Sequence, residues 1–178
     1  MRNNQPVTQQ EVKVPEGQTL ISVTDLKGRI TYANKAFIGI SGYLEEELVG
    51  QPHNIVRHPD MPEEAFRDMW ATIEAGIPWS GVVKNRRKDG GFYWVRANAT
   101  PVRDGERIVG YLSVRAAATQ EEIDACEALY ATMRAEAASG KLRHRLRHSK
   151  VLRPGLMPWL VQTFTPSIHQ QVGWLAFW

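Results

Sequence analysis

Residues 79–118, WSGVVKNRRKDGGFYWVRANATPVRDGERIVGYLSVRAAA, contain three runs rich in β-branched and aromatic residues (79–88, 91–102 and 107–118). They are separated by DGG (89–91) and RDGE (103–106), both hairpin signals. Two hairpins in sequence make three antiparallel strands. Upstream, TLISVTD (19–25) and RITYAN (29–34) flank a turn at Gly28, which predicts a further hairpin. Between the two strand groups lie short helical pieces, NKAFIGISGY and LEEELVG, and a longer helix over 61–75. For that helix Asp60 is the expected cap, Pro62 falls in the first turn and Gly76 follows the end. Phe66, Met69, Trp70 and Ile73 stand at i, i+3, i+4 and i+7, one buried face. The order predicts an α+β domain, a five-stranded antiparallel sheet with short helices on one face.

Composition bounds the rest. A chain of 178 residues, 43% hydrophobic, has room for one globular domain with appendages. A single cysteine, Cys126, rules out a disulfide framework and a thiolate zinc site, and suits a reducing compartment. The first eighteen residues are polar, have no secretory pattern and read as a flexible N-terminal arm. The organisation expected is an arm over 1–18, a sensor domain over 19–118, a linker helix over 119–140 and a basic tail over 141–178. Residues 1–140 hold sixteen Lys/Arg against nineteen Asp/Glu, whereas 141–178 hold six cations and no acid. Such a run is a solvated segment or a contact for anionic lipid head groups. The body offers no DNA-reading helix or RNA-stacking motif, so nucleic acid is not an expected partner.

GQPHNIVRHPDMP (50–62) gathers His53, Asn54, Arg57, His58 and Asp60 between three prolines. Arg57 and His58 precede a helix start, where an anion such as pyrophosphate finds donors. Alternatively they bond Asp60 and nearby carbonyls and merely stiffen the loop. A metal site is a poorer reading, because the prolines hinder convergence of the ligands. An apolar slot for a flat ring has Phe66, Trp70 and Trp79 as candidate walls. Asn85, uncharged among Lys84, Arg86, Arg87 and Lys88, is a candidate edge group that can donate and accept. Ala97 and Ala99 share a strand face and leave space opposite a helix. No Walker-type loop, nucleophile elbow or paired acid and base is present, so an enzyme is not expected.

Over residues 7–135 the sequence resembles the N-terminal PAS domain of bacterial aerotaxis receptors. The resemblance rests on TDLKGRITYAN, SGYLEEELVGQPHNIVRHPDMP, AFRDMW, PWSGVVKNRRKDGGFYWVRANATPV and GYLSVR. It implies the PAS fold, non-covalent FAD, and a redox state read as a signal of oxygen or cellular energy. It strengthens Trp70 and Asn85 as cofactor contacts and adds Asn34 and His53. A cofactor-free or haem-binding PAS module is the alternative. An adduct-forming photoreceptor would need a cysteine beside the flavin, and Cys126 lies beyond the last strand.

Residues 119–140 open with Thr119 and Glu122 at capping-box spacing and close on Gly140. Their stripe of Ile123, Cys126, Tyr130, Met133 and Ala137 suits either the domain's own sheet or a second subunit. In the family such a linker leads to membrane anchorage, a HAMP module and a signalling rod. The resemblance therefore implies a homodimer or downstream signalling partner, at the cytoplasmic face of the inner membrane. QQVGWLAFW (170–178) reads as the start of a membrane segment that is not completed.

Overall fold

A computed structural model describes residues 2–152. Strands β1 (Leu20–Thr24) and β2 (Ile30–Ala33) form the first hairpin, followed by the short helices α1 (Lys35–Ser41) and α2 (Glu45–Leu48). A 3₁₀ turn, His53–Val56, leads into helix α3 (Glu63–Glu74). Strands β3 (Trp79–Arg86), β4 (Phe92–Asp104) and β5 (Arg107–Ala117) complete an antiparallel sheet of order β2-β1-β5-β4-β3. Helix α4 (Gln120–Ala138) and a small hairpin, β6 (Arg145–Arg147) and β7 (Lys150–Leu152), follow. The sheet order joins the two halves of the chain, because β1 pairs with β5 from Leu20↔Arg115 to Thr24↔Tyr111.

Strand alternation sorts the sheet residues between two faces. Val83, Asn85, Ala97, Ala99, Tyr111, Ser113 and Arg115 point to the α3 side and line a common cavity. Val82, Lys84 and Arg96 point the other way, where α4 lies. The Tyr130 hydroxyl donates to the Val82 carbonyl at 2.5 Å, Lys84 approaches Glu127, and Arg96 pairs with Glu122. Ile123, Tyr130 and Met133 of the helical stripe are buried against the domain's own sheet, while Cys126 is half-buried.

Three expectations are corrected. Asp60 does not cap α3: Pro62 holds the N-cap position, and the Asp60 carboxylate accepts from Lys84 Nζ at 2.8 Å. An ammonium buried beside it outcompetes solvated backbone amides for that carboxylate. The polar N-terminal segment is not a free arm but is hydrogen-bonded to the body. Thr8 N donates to Gly90 O at 2.8 Å, Val12 N to Phe92 O at 2.8 Å, and Arg86 Nε to Pro6 O at 2.9 Å. Asn4 is buried, and its amide donates to the carbonyls of Asn54 and Arg57 at 2.9 and 2.8 Å. Finally, the basic run is not a free chain: its hairpin docks on α3 through β6, while its described cations stay exposed. That helix therefore buries a second, polar face of Glu64, Asp68 and Thr72. The stretch 170–178 lies outside the described residues. Among the described residues no helix is long and apolar enough to cross a membrane.

Candidate functional site

Between α3 and the inner sheet face lies a half-open cavity of about 310 Å³, within the size range of ligand pockets. Lys27, Gly28, Pro52 and Asn54 are among its lining residues, as are Arg57 and Trp70. Gly28 has φ +76°, and a Cβ there would come within 3.0 Å of the Trp70 ring. Glycine thus meets both the turn geometry and the close approach of this wall. The floor is small because Ala97 and Ala99 stand where larger side chains would fill the space.

Six of the nine residues singled out from sequence line the cavity: His53, Arg57, Phe66, Trp70, Trp79 and Asn85. Three do not. The Asn34 side chain caps α1, accepting from Phe37 N at 3.0 Å, and ties β1 by accepting from Ile21 N. His58 is buried outside the cavity with its ring edge on Phe92, and its Nδ1 accepts from Asp60 N at 3.0 Å. Asp60 binds Lys84 as described. His58 and Asp60 therefore brace the loop that presents Arg57, combining the two readings open from sequence.

Apart from Lys27, which is exposed, the cavity's charged groups are arginines. The Arg57 guanidinium stacks 3.6 Å from the centroid of Phe66, and burial lowers its pKa to about 10. Arg115, missed from sequence, is 2% exposed and lies 4.2 Å over Phe37. It donates to Ser22 Oγ at 2.6 Å, with a second nitrogen 3.3 Å from His53 Nε2. Burial lowers its pKa also to about 10. The signal for Arg115 was alternation: it shares the inward face of β5 with Tyr111 and Ser113, where a cation has no solvated outlet.

The Nε atoms of Arg57 and Arg115, the Tyr93 hydroxyl and Thr24 Oγ1 are buried without a hydrogen-bond partner. Asn85 lies close enough to Tyr93 to act on it electrostatically, without a hydrogen bond of ordinary geometry. Burial pushes the Tyr93 phenol up to about 12. The His53 ring stacks on Phe37 at 5.8 Å. Burial, reinforced by Arg115 and Arg57, drops its pKa to about 3 and keeps it neutral. Because Arg115 can only donate, Nε2 is the acceptor and the proton sits on Nδ1. Nε2 is also 3.0 Å from Ser22 Oγ, so His53 is not a free axial haem ligand.

This arrangement suits a flat anionic ligand. It offers apolar walls, two desolvated cations and several unused donors. Among the described residues no cluster of His, Cys, Asp or Glu could hold a metal ion.

The family model described as the PAS fold matches residues 30–115. A solved PAS domain from Colwellia psychrerythraea is 30% identical, with a TM-score of 0.52, and aligns over 57% of this chain and 87% of its own. The chain belongs to the PAS family. The aerotaxis receptor of Escherichia coli K12 is 53% identical over 156 residues, covering 87% of this chain. The chain spans only 30% of that receptor's length. A solved light-oxygen-voltage domain, studied with a flavin analogue, is 26% identical with a TM-score of 0.56. It aligns over 67% of this chain and 89% of its own. The lining of this PAS cavity contains no cysteine, and Cys126 lies on α4.

Proposed function

We propose that this PAS domain is the sensory part of a signalling receptor and that its cavity holds FAD non-covalently. The observation that carries the reading is that two guanidiniums, the buried Arg115 and the half-buried Arg57, line one cavity, each with a buried Nε–H that lacks an acceptor. Cations withdrawn from water are costly, and an anionic ligand in the cavity offsets that cost. Arg57 and Arg115 would bind negative charge. Phe66, Trp70 and Trp79 would wall an aromatic ring, and Asn85 and Tyr93 would supply polar contacts. Bound FAD supplies reversible uptake of electrons and protons. Arg115 favours extra negative charge nearby, and the surrounding apolar side chains exclude water and so strengthen that effect.

The likeness to an aerotaxis receptor supports oxygen or energy as the signal. It also supports a homodimer or a downstream HAMP and signalling module as partner, and a site of action at the cytoplasmic face of the membrane. Visible spectroscopy of the purified chain tests the cofactor. Two flavin bands, with FAD as the species released on denaturation, are expected, and Arg57→Ala should lower occupancy at least about tenfold with the fold retained. A Soret band, or a colourless protein that takes up no FAD, would overturn the reading.

A further inference from the structure

Asp68 on α3 is 2% exposed, and its carboxylate joins two parts of the molecule. On one side its Oδ2 accepts from Nε1 of Trp79, a wall of the cavity, at 3.0 Å. On the other, Oδ1 accepts from His148 N and Oδ2 from Ser149 N, both at 2.8 Å. These two amides form the turn between β6 and β7, with φ of +49° at His148 and +66° at Ser149. A two-residue hairpin turn with both φ positive is normally built from Asn-Gly or Asp-Gly. His-Ser is a strained choice, and the carboxylate that accepts both amides holds it in place.

One helical turn earlier, Glu64 repeats the device. It is 4% exposed, accepts from Leu146 N at 2.8 Å, and receives a two-pronged contact from Arg67 at 2.7 Å. Arg67 also donates to Leu146 O at 2.7 Å. The hairpin itself has little apolar anchorage: Leu146 is buried and Val151 only partly so. Its docking thus depends largely on polar contacts from α3, and among the residues that make them Asp68 alone also bonds the cavity wall. A hydrogen bond to a buried charge loses strength steeply with misalignment. A small displacement of the Trp79 indole therefore reorients the acceptor of both turn amides.

We propose that Asp68 couples the cavity to residues 145–152, so that the state of the ligand at Trp79 sets how firmly the β6–β7 hairpin is docked. The link between Trp79 and the hairpin stands on the structure alone; its response to flavin redox state rests on the function proposed above. Asp68 is thus a positioning residue, and the hairpin is the element that leaves α3 when the cavity changes.

Amide hydrogen exchange at His148 and Ser149 reads the coupling directly. Trp79→Phe keeps an aromatic wall and removes the indole N–H. It should speed exchange at both amides about tenfold, whether or not a cofactor is bound. In the flavin-loaded protein, exchange at these amides should differ at least about threefold between the oxidised and dithionite-reduced forms, within the usual range of coupling between sites. Asp68→Asn, which keeps the shape but loses acceptor capacity, should abolish that difference while flavin remains bound. If Asp68→Asn fails to fold, Trp79→Phe and the wild-type redox comparison decide. Unchanged or slower exchange in Trp79→Phe overturns the link. Equal exchange in the two redox states of loaded wild type, or a difference that survives in Asp68→Asn, overturns the coupling. A chain that takes up no flavin removes the function proposed above and leaves the Trp79→Phe result to stand or fall alone.

Discussion

Asn85 is 4% exposed, faces the cavity from an edge strand, and pairs across the sheet with Tyr93. Asn85→Asp would set a negative charge against electrons added to a bound flavin, lowering its midpoint potential by on the order of tens of millivolts. Spectroelectrochemical titration checks this, and an unchanged potential in a variant that still holds flavin would remove Asn85 from the ring's surroundings. His53 supports a second expectation. Its folded pKa of about 3 lies below the ordinary 6.5, so between those values the unfolded chain binds the proton and the folded one does not. Stability therefore rises with pH across this window and is lost as pH falls below 6.5. By pH 5 the loss from His53 alone is about 2 kcal/mol. His58, lowered to about 4 mainly by burial and then by Lys84, adds a loss of the same sign. Urea unfolding at pH 7.5 and pH 5 should show this decline, and it should be smaller in His53→Gln. An equal decline in that variant would place the acid sensitivity elsewhere.

The same contrast between local pattern and distant partner governs the elements. Strands β3, β4 and β5 were legible because alternation and Gly-containing turns are local, and three strands packed side by side reinforce each other's register. The aromatic walls on α3 were legible from helical spacing, and Asn85 from being neutral among cations. Asn34 and Asp60 carried the right residue types, yet their partners, Ile21 and Lys84, come from other strands and no local rule supplies them. The N-terminal segment was opaque for a related reason. It carries little apolar periodicity, and it is fixed by polar bonds to carbonyls about fifty residues away. Those bonds give it a task, because Asn4 grips the loop that carries Arg57. Asn4→Ala should cost about 1–2 kcal/mol through the hydrogen bonds lost to these carbonyls, and it should speed release of flavin. Equilibrium unfolding and a flavin-release time course measure the two effects. Wild-type values in both would reduce the segment to a surface attachment.

At the scale of the whole molecule, charge and topology converge on the last described residues. α4 runs over the outer sheet face, and the hairpin after it returns to α3, so the chain wraps the β3 side of the domain. Leu146 faces inward, which leaves Arg145 and Arg147 exposed on one side of β6, with Lys150 opposite Arg147 across the ladder. Exposed Lys141 and Arg143 precede them. Docking thus gathers Arg145, Arg147 and Lys150 on one side of the hairpin. At about 1 kcal/mol per Lys or Arg near an anionic membrane, these five cations give useful affinity that fades as salt shortens the screening length. The protein should therefore co-sediment with vesicles containing phosphatidylserine at low salt, and not with neutral vesicles or at about 0.5 M salt. Arg147→Gln combined with Lys150→Gln should weaken binding several-fold while flavin content stays unchanged, because neither residue touches the cavity. Equal binding to neutral vesicles would assign the contact to apolar insertion, with Leu152, 45% exposed at the end of β7, the first residue to test. No binding to either vesicle at low salt would leave the cationic face without a membrane role, and the proposed membrane location would then rest on likeness to the aerotaxis receptor alone.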